Sequence, residues 1–525
     1  MKSIIFSFFL ICSAFVAAQD YYNTDVQHPL VLENPFIDKT PDKTLPPTFD
    51  QAKPLLPQPE WQARPDVVAA YWKAWSIAFD NLYVPTEQNG FVTPYVDAAF
   101  NRHIFMWDNS FMAMFGRYGR RAFHFQGTLD NFYAKQHKDG FICREISEIT
   151  GYENFQKYDV SSTGPNLLPW AEWEYFISVN DTARLRQVFP PLIAYYQWFR
   201  ANRSWKDGSY FSSGWGCGMD NQPRLEAGYN REFSHGFMSW IDISLQQVFV
   251  GKILIRMANL LERPDDVKDI IDEINDLQQF VNAKMWDERS AFYYDVLRNG
   301  NFNGVKSIAA YWSLLADVVP GEKLPRLLSH LENENEFARP HRPTTLSADD
   351  PGYKPDGGYW CGGVWSPTTY MLLKGLTKHK QDSLAYEIAA NHFFQLINVY
   401  NETGTFWENY APEAGFFPAQ SRKDFVGWTG ITPISILLEY IFGIRPLVSD
   451  SHSPSETADI IWDIHFTDAI GVKNYPFGTD ATIDFQCARR KKTTDHPRIT
   501  VKSNRNFTLK LRWERGEEII KVKAE

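Results

Sequence analysis

The chain of 525 residues is long enough for one large domain with an appendage, or for several ordinary domains, and can bury a substantial core. Its formal net charge of −10 argues against a nucleic-acid or polyanion partner, because neutralising phosphates needs clustered Lys and Arg, and points to a neutral ligand. Aromatic residues make up 16% of the chain, many beside Gly, Asp and Asn outside any helical period, where stacking on sugar rings competes with core filling as their reason.

In chain order, Met1-Lys2-Ser3, an apolar run from Ile4 to Val16 and then Ala17-Ala18 read as a secretory signal peptide over 1–18. The run is short of the roughly 20 residues a spanning helix needs, so a secreted or periplasmic protein is expected, with no membrane contact once the signal is removed. Cys12 leaves with the signal. Cys143, Cys217, Cys361 and Cys487 are too scattered for a disulfide framework or a zinc site. Residues 19–62, rich in Pro and Asp, predict an extended arm on the domain surface.

Arg64-Pro65-Asp66 then opens a helix, with Pro near its first position, an acid in the first turn, and Trp72, Trp75, Ile77, Ala78 and Leu82 at helical spacing. The same criteria predict helices at 108–118, 120–136, 166–178, 182–200, 235–261, 264–285, 307–318, 321–333, 364–376, 381–400 and 428–442. Links after the even-numbered of these are a few residues, and those after the odd-numbered run to roughly fifteen to thirty, longer than ordinary connections. Short links make antiparallel hairpins, so every long link falls at one end. No fixed-period repeat marks a solenoid, and the expectation is a mainly α protein: an (α/α)6 toroid of six hairpins over 63–446. Beyond Pro446 the texture alternates with period two, as in Ala481-Thr482-Ile483-Asp484-Phe485. A small C-terminal β-sandwich over 447–525 is expected, serving as packing or spacer, with carbohydrate binding as its alternative.

The long links carry the candidate chemistry. The first ends in Trp107-Asp108, an indole face beside an acid that binds two hydroxyls or caps the next helix. The third offers Gln136 and Arg144 as hydroxyl binders. The fifth, Gly214-Trp215-Gly216-Cys217-Gly218-Met219-Asp220, has no preceding strand and no following Lys-Ser/Thr, so a phosphate loop is excluded and the glycines serve close approach to a ligand. Asp220 has apolar sequence neighbours that would raise its pKa, and Arg224 stands ready to orient it. The ninth gives Tyr359, Trp360 and Trp365. The eleventh gives Trp407, Glu408 and Tyr410, with Tyr410 placed to hold Glu408 or its water and Glu413 as a competing acid; Trp428 follows at the last helix start. No His-rich metal spacing, calcium loop or nucleotide motif occurs, so no cofactor is expected.

Trp107-Asp108, Gly218-Met219-Asp220-Asn221-x-Pro-Arg, Tyr359-Trp360-x-Gly-x-Val-Trp365 and Trp407-Glu408-Asn409-Tyr410, in this order, resemble glycoside hydrolase family 63 over roughly 64–442. That family holds processing α-glucosidase I, bacterial α-glucosidases and mannosylglycerate hydrolases, and is related to the trehalases. The resemblance implies an inverting mechanism with Asp220 as general acid and Glu408 as general base, and hence carboxyls about 6.5 to 9.5 Å apart. Cys361-Gly362-Gly363 departs from the Arg or Asn, Gly and Pro of many relatives, and the N-terminal β-domain of many relatives is reduced to a short arm. The expected activity is removal of a terminal α-glucoside or α-mannoside. A noncatalytic glycan-binding protein, and a trehalase-like or α-L-rhamnosidase-like hydrolase on the same toroid, stand as alternatives.

Overall fold

The computed structural model describes residues 26–98, 101–413, 420–447 and 459–525. The expected signal peptide lies outside the described residues. Helical structure occupies each position expected from periodicity: α1 Pro65–Asp80, α2 Met106–Gly116, α3 Asp130–Ala134, α4 Leu168–Val179, α5 Thr182–Arg203 and α6 Ile241–Leu260. These are followed by α7 Lys268–Phe280, α8 Trp312–Leu315, α9 Leu324–Glu332, α10 Ser366–Lys378, α11 Asp382–Thr403 and α12 Thr432–Ile441, the last wound as a π-helix after a 3₁₀ turn at Trp428–Ile431.

The physical reasons are those the sequence offers. Pro65 sits at the start of α1 and Asp66 in its first turn, and Val67, Ala70, Tyr71, Ala74, Trp75 and Ala78 bury one face. Asp181 caps α5 by accepting from Arg184 N at 3.0 Å. The third predicted helix is shorter than its pattern. The chain folds back at Gly116 and Gly119, where an added Cβ would lie 2.3 Å from Phe125 and 2.8 Å from Trp75, so close ring packing replaces two helical turns.

Packing gives the helices a cyclic order. α2 touches α4, α4 touches α6, α6 touches α8 and α8 touches α10; α10 touches the Trp428–Ile431 turn, which returns to α2. The partners α1, α5, α7 and α11 pack against members of this series. Among the described residues no helix is long and apolar enough to cross a membrane.

The arm does more than lie on the surface. Phe36, Leu56 and Trp61 are buried, and β1 Gln58–Glu60 becomes a sheet strand. Two further short strands, β2 His103–Phe105 and β3 Glu145–Ser147, pair near the site. After α12 come β4 Ile444–Pro446, β5 Ile460–Ile464, β6 Ile470–Phe477, β7 Ala481–Cys487, β8 Ile499–Ser503, β9 Phe507–Trp513 and β10 Gly516–Val522. They form two four-stranded sheets, ordered β1-β6-β7-β8 and β10-β9-β5-β4, with β5 and β9 parallel and the other neighbours antiparallel. Ala481, Ile483, Phe485 and Cys487 alternate inward along β7 as their period of two requires. Phe485 meets Trp462 of the other sheet at 5.1 Å between ring centroids. The arm reaches these sheets because Trp61 is anchored there: its Nε1 donates to Asp468 at 3.1 Å and its ring packs on Phe466.

Candidate active site

The site begins with β2 and β3, whose antiparallel register sets Phe105 opposite Glu145 and His103 opposite Ser147. Met106 N donates to Arg144 O at 2.8 Å, so α2 starts against the third link. Trp107 and Asp108 therefore occupy the first turn of α2. Asp108 is 3% exposed. The cap position is Phe105, with no side-chain cap, so Asp108 is not spent on the helix end. Asp108 Oδ1 and Trp107 Nε1 are buried without a hydrogen-bond partner among the described residues, two polar atoms left for a ligand. Burial, followed by the charge of Glu408, pushes the Asp108 carboxyl well above its ordinary pKa.

Ser213 opens the fifth link's short helical turn by accepting from Gly216 N at 3.0 Å, and Gly218 closes it in the left-handed region with φ +78°. Asp220 follows at once. Gly214 is required by close backbone approach, since a Cβ there would lie 2.3 Å from Asp220 O and 2.4 Å from Arg231 O. Asn221 then ties this link to the ninth: its Nδ2 donates to Gly358 O at 3.0 Å and its Oδ1 accepts from Trp360 N at 3.0 Å. Gln222 donates to Thr345 O at 2.8 Å and accepts from Ser307 Oγ at 2.7 Å, fixing the far side of the turn.

Glu408 is held by the eleventh link, which is bridged to the ninth through Val364 and Tyr410. Its backbone N donates to Arg422 O at 2.8 Å, and its carbonyl accepts from Trp428 Nε1 at 3.1 Å. The carboxylate accepts from Tyr359 Oη at 3.2 Å. Tyr359 itself sits at φ +64°, an uncommon backbone for a bulky residue and one that marks a functional constraint.

Trp107, Asp108, Arg144, Trp215, Asp220, Tyr359, Trp360, Glu408 and Trp428 line one cavity of about 270 Å³. Burial raises Asp220 to about 6, against the pull of Arg144. Burial raises Glu408 to about 7, against Arg422 and the Tyr359 hydroxyl. Two titratable carboxyls with pKa values of about 6 and about 7 thus share one aromatic-walled cavity.

Five residues expected at the site are elsewhere. Arg224 does not orient Asp220; its guanidinium is buried and paired with Asp242 at 2.7 Å and Asp295 at 2.6 Å. Gln136 is buried and bonded to Asn34, Gly140 O and Pro191 O, where it fastens the arm. Trp365 stacks behind Trp360 with centroids 3.8 Å apart, supporting a cavity wall without lining it. Tyr410 holds the link rather than Glu408: its hydroxyl accepts from Trp407 N at 3.2 Å. Trp407 does not line the cavity, its Nε1 donating to Thr403 Oγ1 at 3.2 Å. The competing acid Glu413 is ion-paired to Arg339 and accepts from Tyr353 Oη at 2.8 Å, outside the cavity.

His103, Glu145 and Asn154 also line the cavity and were not anticipated. Glu145 Oε1 meets His103 Nδ1 at 2.6 Å and accepts from Asn154 Nδ2 at 2.9 Å. The alternation in His103-Ile104-Phe105 and Glu145-Ile146-Ser147 was the available signal, for it marks two short strands that pair. Among the described residues no cluster of His, Cys, Asp or Glu is arranged to hold a metal ion, and the four cysteines are buried free thiols.

Long links converging on two near-neutral carboxyls among indole faces define a carbohydrate-cleaving enzyme, a glycoside hydrolase. Residues 101–429 match the model of the mannosylglycerate hydrolase MGH1-like glycoside hydrolase domain, and the chain belongs to this family, within glycoside hydrolase family 63. An uncharacterised protein of Borreliella burgdorferi is 22% identical over 368 residues, covering 68% of this chain and 74% of that protein. A probable mannosyl-oligosaccharide glucosidase of Schizosaccharomyces pombe is 22% identical over 289 residues, 49% of this chain. The match spans only about a third of that glucosidase, 34% of its length. Among solved structures, a family 63 mannosylglycerate hydrolase from Thermus thermophilus in complex with glucose shares the fold at a TM-score of 0.57 and 18% identity, covering 70% of this chain and 99% of that one.

Proposed function

We propose that this glycoside hydrolase is an inverting, exo-acting enzyme that removes a terminal α-linked sugar, an α-glucoside or α-mannoside. On this reading the helices form a six-hairpin (α/α)6 toroid, supported by the cyclic contact order, and the two C-terminal sheets form a β-sandwich. The observation that carries the mechanism is that Asp220 and Glu408, from the fifth and eleventh links, line one cavity and both titrate near neutrality.

Asp220, protonated, donates its proton to the glycosidic oxygen as the bond from that oxygen to the anomeric carbon breaks. Glu408, ionised, takes a proton from a water whose oxygen bonds to the anomeric carbon on the opposite face. Asp220 ends as a carboxylate and Glu408 as an acid, and a proton moves back through solvent to reset the pair. Trp107, Trp215, Trp360 and Trp428 supply faces for the ring, while Asp108 and Arg144 supply hydroxyl contacts. At about 270 Å³ the cavity falls just below the roughly 300–1,000 Å³ typical of ligand sites, which suits one terminal sugar rather than a threaded chain. Export is proposed as well, on residues 1–18 alone.

Asp220→Asn and Glu408→Gln are each expected to lower kcat by about 10²- to 10⁴-fold with unchanged circular dichroism. Proton NMR of the first-formed anomer from aryl α-glucosides and α-mannosides reads the stereochemistry. Release of the α-anomer, or near wild-type turnover in either variant, would overturn the reading.

A further inference from the structure

A second cavity, of about 600 Å³, lies between the fifth link, which carries Asp220, and the segment from the end of α7 to Gly300, and shares no lining residue with the catalytic cavity. Trp205 stands just after α5, Phe237 just before α6 and Phe280 at the end of α7, and all three line it. Trp205 and Phe237 present near-parallel rings, 6.4 Å apart with 22° between planes. The Trp205 indole N–H is already satisfied by Met238 O at 2.9 Å, and its ring is fixed against Phe211, 4.4 Å between centroids, and His235, 5.3 Å.

Phe237 is the unusual residue. It is 46% exposed although large and apolar, and its backbone lies at φ 52°, a left-handed conformation that strains a bulky side chain. Core packing does not explain an aromatic ring held outward at such a cost. The conformation is fixed from both sides: Phe237 N donates to His235 Nδ1 at 2.9 Å, and Ser239 makes a backbone bridge to Val296 of the next link. The groove is therefore built before any ligand arrives. Around the rings are hydrogen-bonding groups. Arg298 lies over Phe237 at 5.2 Å, Lys284 lines the wall, and among the described residues neither cation makes an ion pair. Asp207 is held by Ser209, whose Oγ donates to it at 2.7 Å.

We propose that this groove is a noncatalytic glycan-binding site, which holds a more distant stretch of a saccharide chain while its end is hydrolysed. Pyranose rings stack on Phe237 and Trp205, and their hydroxyls bond to Arg298, Lys284 and Asp207. A glycan is the occupant because one link builds both sites: residues 205–239 supply Trp205 and Phe237 to the groove and Asp220 to the catalytic cavity. The inference rests on the glycosidase reading for its biological sense, but its test does not depend on turnover.

Native affinity electrophoresis in gels carrying α-mannan, soluble starch or polygalacturonate measures retention of the intact chain. At least one polymer is expected to retard the wild-type protein. Phe237→Gly should weaken that retention roughly tenfold, since two aromatic stacks of this kind are each worth a few-fold to about tenfold in affinity. The same variant should melt no lower than wild type, because glycine relieves the left-handed backbone; a merely structural ring would give a lower melting temperature. Trp205→Ala serves as the second variant, and both should hydrolyse a short aryl α-glycoside at the wild-type rate. No retardation by any of the three polymers, or retention unchanged in both variants, would overturn the groove. Wild-type protein that is retarded but cleaves nothing would refute the catalytic reading while leaving the groove supported.

Discussion

Tyr359→Phe isolates one atom of the catalytic pair. The hydroxyl donates to Glu408 Oε1 at 3.2 Å, and this bond holds the Glu408 pKa below what burial alone would set. A hydrogen bond to a charged group contributes about 1.5–3 kcal/mol, and one pKa unit is about 1.4 kcal/mol, so its loss raises Glu408 from about 7 by about 1–2 units. In the proposed mechanism the productive form has Asp220 protonated and Glu408 ionised. With Asp220 at about 6 and Glu408 at about 7, the single shared proton sits on Glu408 about ten times as often as on Asp220. Raising Glu408 further makes the productive arrangement about 10–100-fold scarcer. The alkaline limb of kcat/KM reports loss of that last proton, held mainly by Glu408, so it should move upward by about 1–2 units while the acid limb stays put. The assay is kcat/KM for an aryl α-glycoside between about pH 5 and pH 10. A profile superimposable on wild type would refute the reasoning, as would an alkaline limb that moves down.

Asp108→Asn should cost less than about tenfold in kcat/KM, because burial and the charge of Glu408 favour the neutral form of this carboxyl, which an amide mimics, whereas Asp108→Ala should cost more; equal losses in a side-by-side assay would mean the carboxylate charge is needed. Arg224→Met should destabilise the fold by about 3–5 kcal/mol, read by denaturant unfolding, since it strands Asp242 and Asp295 in the interior. Its kcat per folded molecule should hold, as Arg224 lies outside the cavity; a selective loss of kcat in stable protein would restore it to the site.

The local signals were sound where one stretch of chain decides the outcome. The helix positions other than the full length of the third, and the strands β5, β7, β8 and β9, follow from spacing, whereas β6 and β10 take their place from pairing with β7 and β9. The errors concern partners. Arg224 and Asp220 are four residues apart, yet Arg224 pairs with Asp295 and Asp220 lines a cavity with Glu408, because packing chooses among distant candidates that no spacing ranks. Tyr410 is two residues from Glu408, but Tyr359 donates to it from the ninth link. His103 and Glu145 became site residues only when β2 and β3 paired. By itself the sequence determined which residue types were available, where most helices and the strongly alternating strands would lie, and which family the chain resembles. Tertiary structure alone decided which carboxyls share a cavity, how far burial raises them and which aromatic faces stay open, since these depend on contacts between links more than a hundred residues apart in the chain.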